Sequence, residues 1–190
     1  LSNAAPFLCA AVIAGGTVTI PDWPASTTQV GADLTDYLPL FGATVTRSKN
    51  GLTVEGGVGL RGGKAIPGVS LDLSTGGELA PALVALAALA HGPSEFRGIA
   101  HLRGHETDRL AALVTEINKL GGHATELPDG IRLEPTALHG GEWHSYHDHR
   151  MATAGAIIGL AVEGVEVENI ATTSKTTATV SVGLSALPVT

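Results

Sequence analysis

One order of elements occurs twice along this chain, and a third copy begins near its end. An apolar segment (Pro6 to Ala14), Gly15-Gly16, an alternating stretch (Thr17 to Ile20), a helical stretch (Gln29 to Phe41), Gly42 and two strands (Ala43 to Arg47, Leu52 to Glu55) form one unit. The second unit runs helix Leu79 to Ala90, Gly92, strand Ser94 to Ile99, helix Thr107 to Leu120, Gly121-Gly122, strand His123 to Leu127, turn Pro128-Asp129-Gly130 and strand Ile131 to Glu134. A truncated third starts at Arg150 with helix Met151 to Val162, Gly164 and strand Val165 to Ile170. An offset of about 80 residues is too long for a solenoid repeat and too regular to ignore. The expectation is an α/β fold of repeated βαβαββ units forming a single domain over 1–190. Helices 6–14, 79–90 and 151–162 should be its most buried, being apolar around most of their circumference.

The helix after Thr107 shows how the assignments are made. Leu110, Leu113, Val114, Ile117 and Leu120 form one apolar stripe, with Asp108, Glu116 and Lys119 outside it. Gly121 supplies the left-handed stop. Pro128-Asp129-Gly130 followed by alternating Ile131, Arg132 and Leu133 reads as a hairpin. Aromatic residues make up only 4% of the chain against 25 glycines, which fits tightly turned units with cores of alanine, leucine and valine.

Charge and cysteine usage exclude several classes. A net charge of -7, with 11 lysines and arginines scattered along the chain, provides no basic face for nucleic acid. The single cysteine, Cys9, cannot form an internal disulfide and sits in an apolar run, as expected for a core residue in a reducing, cytoplasmic setting. The apolar stretch from Ala4 to Ala14 falls far short of the roughly 20 residues needed to span a membrane. Leu1-Ser2-Asn3 runs directly into the first helix without an initiator methionine, so the chain is expected to be part of a longer protein.

The candidate chemistry lies at the starts of helices. Free backbone N–H groups and the macrodipole favour an anion there, and an arginine in the first turn opposes that dipole unless it serves the anion too. Arg109 and Arg150 are both such cations. Each could instead pair with a nearby acid, Asp108 or Asp148, or face water. Glu106 and Glu78 sit where an acid complements the dipole, Asp148 is placed as an N-cap, and Lys175 lies in a polar loop.

The segments LRGHETDRLAALVTEINKLGG, YHDHRMATAGAIIGL and ATTSKT together resemble, in order, three motifs in the C-terminal half of the EPSP synthases, which belong to the enolpyruvyl transferase family. The resemblance covers nearly the whole chain. It implies one domain of a two-domain inside-out α/β barrel, with the N-terminal domain absent. It also implies transfer of the enolpyruvyl group of phosphoenolpyruvate to the 5-hydroxyl of shikimate 3-phosphate, by addition and then elimination of phosphate, with no metal or organic cofactor. Arg109 and Arg150 would clamp the phosphoenolpyruvate carboxylate and Lys175 its phosphate. Glu106 would exchange the proton at the methylene carbon, and Glu78 would receive the hydroxyl proton. His101, His105, Asp148 and His149 are further candidate substrate contacts, and the chain alone is expected to bind weakly without turnover.

The chain departs from the family pattern in places. His105 stands where many members carry lysine and Glu78 where many carry aspartate, and the tail TTATVSVGLSALPVT lacks the expected proline-aspartate-aromatic sequence. Two other readings compete. The related UDP-N-acetylglucosamine enolpyruvyl transferases share the fold but not the paired ETDR and DHR signatures. A metal-binding module would use His139, His144, His147 and His149 with Asp148, and His101 and His105 elsewhere. It would do so without a second cysteine or a helix-borne histidine pair.

Overall fold

A computed structural model describes residues 1–168 of the chain. The first unit comprises α1 (Ala5–Ala14), β1 (Gly16–Ile20), the short α2 (Leu34–Tyr37), β2 (Thr44–Ser48) and β3 (Gly51–Gly57). The second comprises β4 (Ser70–Asp72), α3 (Ala80–Ala88), β5 (Ser94–Arg97), α4 (Arg109–Lys119), β6 (His123–Leu127) and β7 (Gly130–Glu134), a complete βαβαββ order. The third begins with β8 (Gly141–Trp143), α5 (His149–Gly159) and β9 (Val165–Val167).

Each unit contributes its own sheet. β1, β3 and β2 pair antiparallel in that order. In the second sheet, ordered β4-β5-β7-β6, β4 runs parallel to β5 while the other pairings are antiparallel. β8 and β9 are parallel. Helices α1, α3 and α5 pack on one another and each also lies on strands of its own unit, so the helices are inside and the sheets outside. Composition explains this inversion. A helix apolar on all sides gains most by complete burial, and every residue of α3 is buried. α1 and α5 bury Leu8, Cys9, Val12 and Ile13, and Met151, Ala154, Ile157 and Ile158 respectively. Small residues permit the close approach: a side chain at Gly56 of β3 would collide with the Ala11 carbonyl of α1.

The structure differs from the sequence expectation in several places. The helix expected over 29–41 is broken into 3-10 turns at Val30–Asp33 and Leu38–Phe41 around α2. Pro39 lacks the N–H that would continue the helix, and its ring crowds the preceding turn. β4 and β8 were not anticipated, because three residues are too few to show alternation. The strand expected over 94–99 ends at Arg97, where Gly98 turns at φ 76°. Glu116, which helical spacing puts outside the apolar stripe of α4, is nonetheless 1% exposed. The loop ahead of α5 covers it and supplies two of its hydrogen-bond donors.

Candidate anion site at the helix starts

The N-termini of α3, α4 and α5 come together around Asp148. Asp148 caps α5, its carboxylate accepting from the Arg150 and Met151 amides at 2.9 and 3.4 Å. The same carboxylate takes a two-point contact from Arg109, the first residue of α4, with Nε at 2.7 Å and Nη2 at 3.2 Å. Both side chains are buried. The partner of Arg109 is therefore the acid of the next repeat rather than the neighbouring Asp108. Asp108 instead caps α4 through the Ala111 amide at 3.1 Å and pairs with Arg103, which also pairs with Glu126.

Arg150 reaches the other way. Its Nη2 lies 3.0 Å from Glu78 Oε2, in the 3-10 turn that leads into α3, and 3.3 Å from Ser2 Oγ. Ser2 donates to the same Glu78 oxygen at 2.9 Å. The Arg150 side chain is 16% exposed, and burial holds its pKa below the ordinary arginine value although Glu78 counters the effect. A cation less hydrated than usual is more strongly attracted to an incoming anion.

The histidines and Glu106 complete the cluster. His149 Nδ1 lies 4.0 Å from Glu106 Oε1, the latter side chain being 54% exposed. Burial, with Arg150 beside it, pushes the His149 pKa down, and burial with Arg109 does the same for His105. His105 stacks obliquely on His101 at a centroid separation of 6.2 Å, and His101 lies against Gly77, where a side chain would strike its ring. Glu78, Glu106, Arg109, Arg150, His101, His105, Asp148 and His149 thus gather in one region. Lys175 lies outside the described residues.

The donor set does not favour a metal. Among the described residues, the acids and histidines with ligand atoms mutually within 4.8 Å are Glu106, Asp148 and His149. Both Asp148 oxygens are already engaged by Arg109 and by backbone amides, and a cation there would meet two guanidinium groups. The segment histidines do not converge: His139 bonds the Gly140 carbonyl at 2.8 Å, and His144 bonds Glu168 at 2.8 Å.

Two contributors escaped the sequence reading. Ser2 gave no signal beyond its residue type ahead of an apolar helix. Glu116 accepts from the His144 amide at 2.7 Å, the Tyr146 hydroxyl at 2.8 Å and Lys119 at 2.8 Å.

A family model described as EPSP synthase (3-phosphoshikimate 1-carboxyvinyltransferase) matches residues 1–180. A 3-phosphoshikimate 1-carboxyvinyltransferase of Kocuria rhizophila is 64% identical over 176 residues, which cover 93% of this chain and 38% of the relative. An EPSP synthase structure from Acinetobacter baumannii superposes with a TM-score of 0.75 at 26% identity, over 91% of this chain and 42% of that one. The enolpyruvyl transferase NikO from Streptomyces tendae shares the fold, with a TM-score of 0.66 at 18% identity over 92% of this chain and 39% of its own. The chain therefore spans well under half the length of these relatives, and it belongs to the EPSP synthase family.

Proposed function

We propose that this chain supplies the phosphoenolpyruvate half of an active site that transfers an enolpyruvyl group to the 5-hydroxyl of shikimate 3-phosphate, a step of aromatic amino acid biosynthesis in the cytoplasm. The observation that carries the reading is that one carboxylate, Asp148, holds the guanidinium of Arg109 and caps the helix start at the backbone amide of Arg150, so first-turn arginines of two repeats lie side by side. A guanidinium has five N–H donors, and Asp148 occupies two of those on Arg109 while fixing the plane of the rest. Arg150 sits beside it at a helix start, where the backbone dipole also favours an anion. Together they suit the carboxylate of phosphoenolpyruvate, and Lys175 would meet its phosphate.

In the addition step, the acceptor oxygen bonds to C2 of phosphoenolpyruvate while the methylene carbon takes a proton from Glu106, and the hydroxyl proton passes to Glu78. In the elimination step, the resulting methyl returns a proton to Glu106 and the C2–O bond to phosphate breaks. Acid–base groups contribute roughly 100- to 10,000-fold to such steps, and fixed charges stabilise the tetrahedral intermediate. His101, His105 and His149 border the same space and are proposed substrate contacts.

The remaining domain would complete the shikimate 3-phosphate site and exclude water. Alone, this chain cannot orient its acids against both substrates, and losing that orientation forfeits roughly 7–11 kcal/mol of barrier lowering. Titrating the chain with phosphoenolpyruvate by phosphorus NMR tests the binding half. Weak saturable binding that disappears in Arg150→Met is expected, and equal binding by the native chain and that variant would refute the assignment.

A further inference from the structure

α4 grips the loop before α5 at two points, and only one of them is the Arg109–Asp148 ion pair. Two helical turns beyond Arg109, the buried carboxylate of Glu116 accepts from the His144 backbone through Oε1 and from the Tyr146 hydroxyl through Oε2. Lys119 lies on Oε1 and balances its charge. An acid this deep is costly unless every lone pair it offers is used, so its presence needs a reason.

The loop it holds is strained. Tyr146 and His147 are consecutive non-glycine residues at φ 56° and 54°, the left-handed region that such residues rarely adopt. Such a path persists only where its surroundings over-determine it. On the near side, Trp143 is buried and donates from Nε1 to the Met151 carbonyl at 2.8 Å, tying the loop's start to α5. On the far side, the Asp148 amide donates to the Ser145 carbonyl at 2.9 Å. Between these anchors, the side chain that draws the turn onto α4 is Glu116.

We infer that Glu116 is a positioning residue: its buried carboxylate, bonded to His144 and Tyr146, holds the 144–148 loop in the path that seats Asp148 between Arg109 and the start of α5. Glu116 touches no candidate substrate atom and acts through Asp148, so the inference rests on the arginine-site reading for its functional consequence but not for its structural one. Because α4 carries both Arg109 and Glu116, one rigid helix sets the distance between the guanidinium and the loop that orients it. A loop released from Glu116 would relax out of the left-handed region and withdraw Asp148 from Arg109.

The test uses the full chain and the variants Tyr146→Phe, Glu116→Ala and Glu116→Gln. NMR hydrogen exchange is followed at Arg109 Nε–H, at the capped amides of Arg150 and Met151, and at core amides of α3. A positioning role predicts exchange about tenfold faster at the first three groups in Tyr146→Phe and Glu116→Ala, with α3 unchanged. Glu116→Gln, which still offers an oxygen to the His144 amide, should recover most of the protection. A purely structural role would accelerate all sites together. Phosphoenolpyruvate affinity, followed in parallel, should fall by about the same factor in the two disruptive variants. Uniform acceleration, or native exchange at Arg109 in folded Tyr146→Phe, would overturn the inference, and Tyr146→Phe decides alone if Glu116→Ala fails to fold. Faster local exchange in a chain whose native form binds no phosphoenolpyruvate would uphold the positioning role while refuting the proposed function.

Discussion

Arg109 and Asp148 form a buried two-point ion pair, with Nε and Nη2 of the arginine 2.7 and 3.2 Å from the two carboxylate oxygens, and the pair joins the start of α4 to the start of α5. Removing one member leaves a charge without its partner in a place water does not reach. Asp148→Ala should therefore cost about 3–5 kcal/mol of stability, the range for an orphaned buried charge. The double variant with Arg109→Met should lose distinctly less than the sum of the single losses. Urea unfolding of the three variants measures this, and strict additivity would show that the two side chains do not stabilise each other.

Gly155 fixes how closely α5 can approach β8. A methyl group there would lie 2.5 Å from Cδ1 of Trp143, which is fully buried and hydrogen-bonded to the Met151 carbonyl. Gly155→Ala should destabilise the chain by about 1–3 kcal/mol despite alanine's better helix propensity, because an overpacked core has no free volume to give. A thermal midpoint equal to or above that of the native chain would contradict this packing.

Stability should depend on pH through His149 and His105, whose pKa values are both held down, first by burial and then by Arg150 and Arg109 respectively. In the unfolded chain each imidazole takes up its proton near pH 6.5, whereas in the native state it does so only at lower pH. The unfolded state thus binds more protons in that window, so this stability is complete above about pH 6.5 and is lost as pH falls toward the native pKa values. His149→Gln should flatten the decline in unfolding free energy below about pH 6.5. An unchanged slope would place the imidazole in water.

Much of the fold was legible from periodicity, and part of it was not. α1, α3 and α5 announce themselves because they are apolar around most of their circumference, and burial is the outcome open to such helices. Arg109 and Arg150 stand out because a first-turn cation opposes the helix dipole. Their partners could not be read the same way. Asp148 serves Arg109 across 39 residues of sequence, and the Ser2 contact with Glu78 spans 76, so both pairings are set by how the repeats pack. Glu116 marks the limit most clearly. Helical spacing puts it off the apolar stripe of α4, and nothing local shows that a later loop returns to cover it. The break at Pro39, by contrast, is legible in the sequence, because proline lacks the N–H that would continue a helix.

The arginine site should separate from stability at Arg150. Its side chain is 16% exposed and its partner Glu78 is 40% exposed, so water can solvate what remains after truncation. Arg150→Met should change unfolding free energy by no more than about 1 kcal/mol. The same variant should abolish phosphoenolpyruvate binding. Loss of folding in this variant would make Arg150 a structural residue instead.

The most direct measurement replaces the segment of the Kocuria rhizophila relative that this chain matches, 64% identical, with the chain itself and follows phosphate release from phosphoenolpyruvate and shikimate 3-phosphate. The chimera should turn over, Arg150→Met and Glu106→Gln in it should not, and the isolated chain should show no turnover under the same conditions. A folded chimera that releases no phosphate, or one whose activity survives Arg150→Met, would contradict the assignment of this site to enolpyruvyl transfer.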